Sequence, residues 1–482
     1  MSEYLLALTM PASRALLDAA RDPAAFDLVH VAGSGAALET VAERPGCRLV
    51  LLERDVEPQL APFVQRLRRV APGLEVLLWS PRVGESVRSE LHGLGIELVD
   101  RALGPLDLQQ LLWHRFERAS LKARAGIVGR APRIHEILAT LIQIGPTDIP
   151  VLLTGPSGAG KELFARALVL ASRRADRPLV AVNVGALAES VLESELFGHE
   201  KGAFTGAVAR KEGVFERADG GTLFLDEVGE MSPHMQVRLL RALDLGEITP
   251  VGSARSLKVD VRLVAATNRD LETEVRAARF REDLYYRLNV VHVLVPALAE
   301  RREDIPDLVQ SFLLEASRQY GAPVRRVSDA ALRVLMAYNW PGNVRELRNV
   351  LQGLAVLAKQ AAIEPADLPA SLRAPESALL PVVAGRTLDQ AERDVILQSL
   401  LALRRDLQEA LSLLRGPLVP SGAVIVNPSQ VEPSAPQSLR ESERDLVEAA
   451  LHAAAGNRRL AAGRLGISER TLYRKLREFG LR

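Results

Sequence analysis

Apolar positions follow two rhythms along this chain, and each predicts a different architecture. Over residues 1–120, short apolar runs at Tyr4 to Leu8, Leu49 to Leu52, Glu75 to Trp79 and Ile96 to Val99 alternate with helical stretches, the pattern of a doubly wound α/β domain. The last helical stretch, Leu106 to Leu121, sets Leu108, Leu111, Leu112 and Phe116 along one stripe. That stripe suits either a contact between two subunits or packing on the domain's own sheet. Farther on, Val151 to Leu153 and the run Gly221 to Leu225 are continuously apolar, as parallel strands covered on both faces require. Leu163 to Leu170 has the spacing of an amphipathic helix.

Between that first buried strand and that helix lies Gly155-Pro156-Ser157-Gly158-Ala159-Gly160-Lys161, the spacing of a nucleotide phosphate cradle. Glycines let backbone N–H groups close around phosphate oxygens, and the helix N-terminus adds partial positive charge. Lys161 supplies a full charge for the β and γ phosphates of ATP. Glu162 occupies the place where Ser or Thr usually binds Mg2+, so the metal needs another ligand. The second apolar run ends in Asp226 and Glu227. Asp226 is the candidate Mg2+ ligand, and Glu227 the candidate for orienting and deprotonating the attacking water. In-line phosphoryl transfer needs this division of labour.

Composition bounds the remaining possibilities. At 482 residues the chain exceeds what one hydrophobic core organises, and 48% hydrophobic with 25% charged residues is ordinary for a soluble globular protein. No apolar run is long enough to span a bilayer, and Met1 to Met10 lacks an export leader, so a cytoplasmic protein is expected, with no membrane partner. Cys47 is the only cysteine, which excludes an internal disulfide framework and a cysteine-built zinc site.

The net charge of +1 conceals a basic C-terminus. Ala374 to Gly385 is a short break, Thr387 to Leu414 has helical spacing, and Gly416 to Ser438 is a proline-rich flexible linker. Beyond it, Leu439 to Ala455, Arg458 to Leu465 and a helix capped by Ser468 and running to Phe479 form a helix-turn-helix pattern with Gly466-Ile467 as the turn. Leu472 and Leu476 face its core, leaving Arg470, Thr471, Arg474 and Lys475 for double-stranded DNA.

The stretch Glu195-Leu196-Phe197-Gly198-His199-Glu200-Lys201-Gly202-Ala203-Phe204-Thr205-Gly206-Ala207 resembles the signature loop of bacterial enhancer-binding proteins, the AAA+ activators of sigma-54 RNA polymerase. Its glycines permit a sharp turn that lifts the Phe204 ring into water for a partner to bury; folding back into the core is the alternative. The resemblance runs from Ile127 to Leu372 and takes in the C-terminal helix-turn-helix, which is similar to a Fis-type domain. It implies that Gly202, Ala203, Phe204, Thr205, Gly206 and Ala207 contact sigma-54 holoenzyme. It also implies that Asn183 is a switch holding Glu227, and that Thr267 and Asn268, ending the strand Val261 to Ala266, form the first sensor. Arg281 and Arg287 match arginine fingers reaching a neighbouring subunit. Arg345 matches the second sensor on a helical lid, and Ile127, Val128 and Gly129 line the adenine pocket. Fingers acting in trans imply a homo-oligomeric ring, in this family of about six or seven subunits assembled from DNA-bound dimers.

Three departures from the family pattern stand out: Pro156 replaces a common acid, Val184 a common cysteine, and Thr249-Pro250-Val251-Gly252-Ser253 varies from the usual supporting loop. The N-terminal rhythm resembles a receiver domain without its chemistry. Thr9 and Met10 replace the acidic pair, Glu53 the phosphoacceptor aspartate and Gly104 the lysine. Glu53 is then either a permanent charge mimic or a strand-end glutamate facing solvent. The expected organisation is α/β: a degenerate receiver-like domain (1–120), an AAA+ P-loop core (121–298), a helical lid (299–373), linker helices (386–415), a flexible linker (416–438) and an all-α helix-turn-helix domain (439–482). The expected function is ATP-driven, sigma-54-dependent transcription activation. The alternative is a DNA-binding regulator using its ATPase domain only for assembly.

Overall fold

The computed structural model describes residues 3–21, 26–57, 59–71, 73–80, 91, 94–204, 207–321, 326–357 and 362–373. The expected linker helices, flexible linker and DNA-binding helices lie outside the described residues, with Arg470, Thr471, Arg474 and Lys475 among them; so do Thr205 and Gly206. The chain divides by internal contacts at Leu380, and every described residue belongs to the first unit.

Five parallel strands build the N-terminal sheet: β1 (Tyr4–Leu8), β2 (Asp27–Val31), β3 (Cys47–Glu53), β4 (Glu75–Ser80) and β5 (Ile96–Asp100), in the order β2-β1-β3-β4-β5. The apolar runs predict four of them. Strand β2 is at the sheet edge and only half-buried, and Asp27 and His30 break its apolar run. Glu53 does not face solvent: it is 1% exposed, accepts from the Met10 N–H at 2.6 Å and the Ser13 hydroxyl at 2.9 Å, and pairs with Arg101 at 2.6 Å. Cys47 is buried, and burial pushes its thiol up to about 12, far from reactive.

One helix joins this domain to the next. It starts on Gly104-Pro105, runs from Pro105 to Ala125 and ends at Gly126 in the left-handed region, with the Gly126 and Ile127 N–H groups donating back to Ala123 and Lys122. It therefore runs past the boundary expected at 120. Leu108, Leu112 and Phe116 pack under the domain's own sheet with Leu5, Leu49, Leu51 and Leu77, which settles the direction of that stripe. One end of the helix is thus N-terminal core. At the other end, Leu121 and Ala125 enter the core of the following domain beside Phe164 and Leu168, behind the helix that follows the phosphate loop.

The second sheet is also parallel: β6 (Val151–Thr154), β7 (Leu179–Asn183), β8 (Thr222–Asp226), β9 (Arg262–Thr267) and β10 (Val291–Leu294), in the order β10-β6-β9-β8-β7. Ile134, Leu138, Phe164 and Leu168 cover one face, and Phe197, Phe215, Met235 and Leu239 the other. Helices Ile305–Tyr320, Asp329–Ala337 and Asn343–Leu357 form the lid around Leu308, Phe312, Leu335, Trp340 and Leu347.

A buried charge cluster joins the N-terminal sheet to the second domain. The Glu75 carboxylate on β4 stands 3.1 Å from Arg118, 3.5 Å from Lys122 and 3.4 Å from the His135 ring. Burial alone would raise Glu75, but Lys122, His135 and Arg118 together hold it below the usual carboxylate range. Burial pulls His135 down to about 4, with Glu75 opposing. The folded protein therefore keeps His135 neutral. As pH falls from about 6.5, the unfolded chain binds a proton that the folded one refuses, so stability is lost progressively towards the folded value. Between about pH 7 and pH 5, the wild type should lose about 2 °C more in Tm than His135→Gln. Thermal melts at both pH values check this, and equal losses would refute it.

Candidate functional site

The phosphate loop leaves β6 and returns as the helix Lys161–Leu170, so Gly155 to Gly160 sit at the C-terminal edge of a parallel sheet, between β6 and that helix. Lys161 is almost fully buried; its Nζ donates to the Gly155 carbonyl at 3.0 Å and lies 3.7 Å from Glu227 Oε1. Ser157 and Glu162 are exposed, and Pro156 and Gly158 are half-buried. Strand β8, directly paired with β9, carries Asp226 and Glu227 to the same edge.

Glu227 has φ 57° and ψ 44°, a left-handed conformation that costs a non-glycine residue energy and places its carboxylate away from the strand direction. Its Oε2 accepts from the Asn268 N–H at 3.1 Å. Thr267 lies within β9 rather than beyond it, is fully buried, and uses its hydroxyl to accept from the Arg269 N–H at 3.0 Å. The Asn268 backbone, where the first sensor was expected, thus holds Glu227. Asn183, at the end of β7, donates to Asp226 Oδ2 at 3.4 Å. The expected contact of Asn183 with Glu227 is therefore replaced by one with Asp226, because β7 pairs with β8 in a register that sets Asn183 opposite Asp226.

The lid closes over the loop from the other side. Trp340 and Asn343 both have positive φ, so the turn between them doubles back sharply. The buried Asn343 side chain accepts from the Leu298 N–H at 2.8 Å and donates to the Ser157 carbonyl at 3.0 Å. The Val344 N–H donates to the Gly158 carbonyl at 3.1 Å, and Arg345 reaches the Ser157 hydroxyl at 3.2 Å. A Cβ on Gly158 would stand 2.4 Å from the Gly342 carbonyl oxygen, so the loop tolerates only glycine there. Arg301, buried at the base of the lid, donates to the Ala159 carbonyl at 2.7 Å.

Val128 and Gly129 bridge the two halves. Ile127 is in the sheet core, Val128 packs against the lid core, and the next N–H groups, of Arg130 and Ala131, donate to Asp304 at 2.5 and 2.8 Å. Burial raises the Asp304 carboxyl, opposed by those N–H bonds and by Arg301, 3.9 Å away. Arg130, Arg301, Asp304 and Asn343 are the site residues that sequence reasoning passed over. Asn343 lies two residues before Arg345 and Arg130 directly follows Gly129, while Arg301 and Asp304 carry no local signal.

Arg281 and Arg287 do not join the cluster within one subunit. Arg281 forms a two-pronged pair with Asp283 at 3.0 and 2.7 Å, and Arg287 meets Asp244 at 3.2 Å and the Leu243 carbonyl at 2.9 Å. Both arginines are about half exposed, at 47% and 49%.

The Phe204 ring takes an intermediate position. It is 47% exposed and leans edge-on against the His199 ring with centroids 4.9 Å apart. The Thr249 to Ser253 segment supports it from beneath: Val251 exchanges backbone bonds with Gly198 and Glu200, and a Cβ on Gly252 would meet Ala203 Cβ at 2.8 Å.

Residues 127–294 match the sigma-54 interaction domain, residues 299–380 the AAA+ ATPase lid domain, and residues 438–479 the bacterial regulatory protein Fis family. The chain is 38% identical over 461 residues to the transcriptional regulatory protein ZraR of Escherichia coli strain K12, covering 93% of this chain and 92% of that protein. The chain belongs to the sigma-54-dependent AAA+ activators. It is also 43% identical to the DNA-binding transcriptional regulator NtrC of Rhizobium meliloti strain 1021, covering 74% of this chain and 70% of that one. The crystal structure of NtrX from Brucella abortus in complex with ADP aligns over 99% of both chains at 29% identity and a TM-score of 0.49. The activator is accordingly an ATPase and a DNA-binding regulator of sigma-54 transcription.

Truncating Asn343 leaves the Leu298 N–H and the Ser157 carbonyl without partners. Asn343→Ala should therefore cost roughly 1–3 kcal/mol in stability, read by denaturant unfolding, and weaken ATP binding together with it. Unchanged values for both would contradict the lid's hold on the loop.

Proposed function

We propose that the activator hydrolyses ATP between neighbouring subunits of a homo-oligomeric ring and uses the resulting movement to press the Phe204 loop, Gly202 to Ala207, against sigma-54 holoenzyme, opening the promoter. The convergence of Lys161, Asp226, Glu227 and the Asn268 N–H at one sheet edge carries this reading. Lys161 and the loop N–H groups bind the phosphates, Val128 and Gly129 hold the adenine, Glu227 takes a proton from water, and Asn183, in contact with Asp226, answers to the state of the γ-phosphate. Arg345 meets the nucleotide from the lid.

Asp226 suits Mg2+. Its carboxylate is half-buried at the strand end and meets the weak Asn183 contact and its neighbour's N–H, leaving lone pairs for a cation that binds through one or two carboxylates plus phosphates. The ion would neutralise phosphate charge during transfer. Arg281 and Arg287, held by Asp283 and Asp244, would exchange those partners for phosphate on the adjoining subunit. The ring has about six or seven subunits by analogy with the family.

The receiver-like domain works without phosphorylation. Arg101 already neutralises Glu53, and the Met10 N–H and Ser13 hydroxyl take further lone pairs, so neither phosphate nor Mg2+ has a place there. Arg470, Thr471, Arg474 and Lys475 would tether dimers to upstream DNA, in the cytoplasm. Among the described residues no helix is long and apolar enough to cross a membrane.

The test is ATP-dependent open-complex formation by the purified full chain with sigma-54 holoenzyme on a cognate promoter, probed by permanganate footprinting. Glu227→Gln should keep ATP binding while losing about 100-fold or more in hydrolysis and promoter opening. Phe204→Ala should keep hydrolysis within about twofold and lose opening. Promoter opening by Lys161→Ala or Glu227→Gln at the wild-type level would overturn the reading in favour of an ATPase domain used for assembly alone.

A further inference from the structure

Arg130 follows the adenine segment and reaches both the N-terminal domain and the lid. Its guanidinium donates to the Leu94 carbonyl at 3.2 Å, ahead of β5, and to the Glu303 carbonyl of the lid at 3.0 Å. Its backbone N–H is held by Asp304, whose partner Arg301 reaches the Ala159 carbonyl of the phosphate loop. Arg68, also in the N-terminal domain, donates to the same Leu94 carbonyl at 2.5 Å and to the Gly95 carbonyl at 3.1 Å. The Leu94-Gly95 turn is thus gripped from within its own domain and from the ATPase.

We propose that Arg130 is a positioning residue through which the N-terminal domain sets nucleotide affinity: the Leu94-Gly95 turn fixes Arg130, Arg130 fixes Gly129 against Asp304, and Asp304 with Arg301 fixes the phosphate loop. The adenine segment starts where the helix Pro105–Ala125 ends, so its chain direction is set by Gly126 and its lateral position by these bonds. A domain without receiver chemistry then acts on the ATPase as a rigid buttress, with no phosphoryl group needed. Close packing makes the buttress sensitive to single atoms. A Cβ on Gly95, at φ +60°, would stand 2.5 Å from Arg130 Cδ. Adding a methyl in the N-terminal domain should therefore displace a side chain of the ATPase.

The proposal rests on Val128 and Gly129 lining the adenine site, and its test separates the two. ATP Kd and steady-state hydrolysis are measured on the full chain. Arg130→Ala should raise Kd and KM for ATP about tenfold, with kcat within about twofold. Gly95→Ala should raise them about threefold in the wild-type background and not at all when Arg130 is already alanine, since the methyl then has nothing to strike. Arg133→Ala, which loses only an exposed pair with Glu300, should change neither value. Val128→Arg tests the adenine site itself. An unchanged Kd in Val128→Arg would overturn the adenine assignment and the proposal with it. Weakened binding there, with Arg130→Ala and Gly95→Ala both at the wild-type Kd, would overturn the relay alone. So would a loss confined to kcat. If Arg130→Ala does not fold, the Gly95→Ala titration decides.

Discussion

A loop that turns its N–H groups inward around phosphate turns its carbonyls outward, and each buried carbonyl needs a donor. Here the donors for three consecutive carbonyls come from the lid and its base: Asn343 for Ser157, the Val344 N–H for Gly158, and Arg301 for Ala159. The lid therefore helps set the shape of the phosphate loop. A nucleotide that reshapes the loop must move the lid, and a displaced lid must reshape the loop. This mutual constraint is the simplest physical route by which phosphate chemistry becomes movement in this molecule.

The same economy joins the N-terminal domain to the ATPase. One continuous helix places Leu108, Leu112 and Phe116 in one core and Leu121 and Ala125 in the other, so the two domains share a rigid element in place of a flexible tether. The buried Glu75 cluster adds charge complementarity at the same junction. Separating the domains would leave Glu75 or its partners unpaired in a dry setting, which is costly. Their mutual orientation is thereby specified.

Much of this was legible in sequence because its signals were local. The phosphate loop and the Asp226-Glu227 strand end are contiguous segments marked by their spacing, and the Phe204 loop is a contiguous segment marked by its resemblance to a family signature. Strand β2 escaped because an edge position and Asp27 blur its apolar run. Glu53 was undecidable: its burial depends on Arg101, far along the chain, and no neighbour announces that pair. The contacts of Asn343 with Ser157, of Arg130 with Asp304 and of Arg301 with Ala159 span 186, 174 and 142 residues, so no local pattern could declare them. The expected hold of Asn183 on Glu227 gave way to Asp226 because strand register, which one sequence does not reveal, decides which acid it faces.

Phe204 is half-exposed on a loop braced by Val251 and Gly252. On the proposed mechanism, the nucleotide state moves this loop. A spin label on Lys201→Cys, in a Cys47→Ser background that leaves no other thiol, reads that movement directly in the assembled protein. Distinct label mobilities are expected with a non-hydrolysable ATP analogue and with ADP. Identical spectra in the two states, with both nucleotides bound, would contradict it.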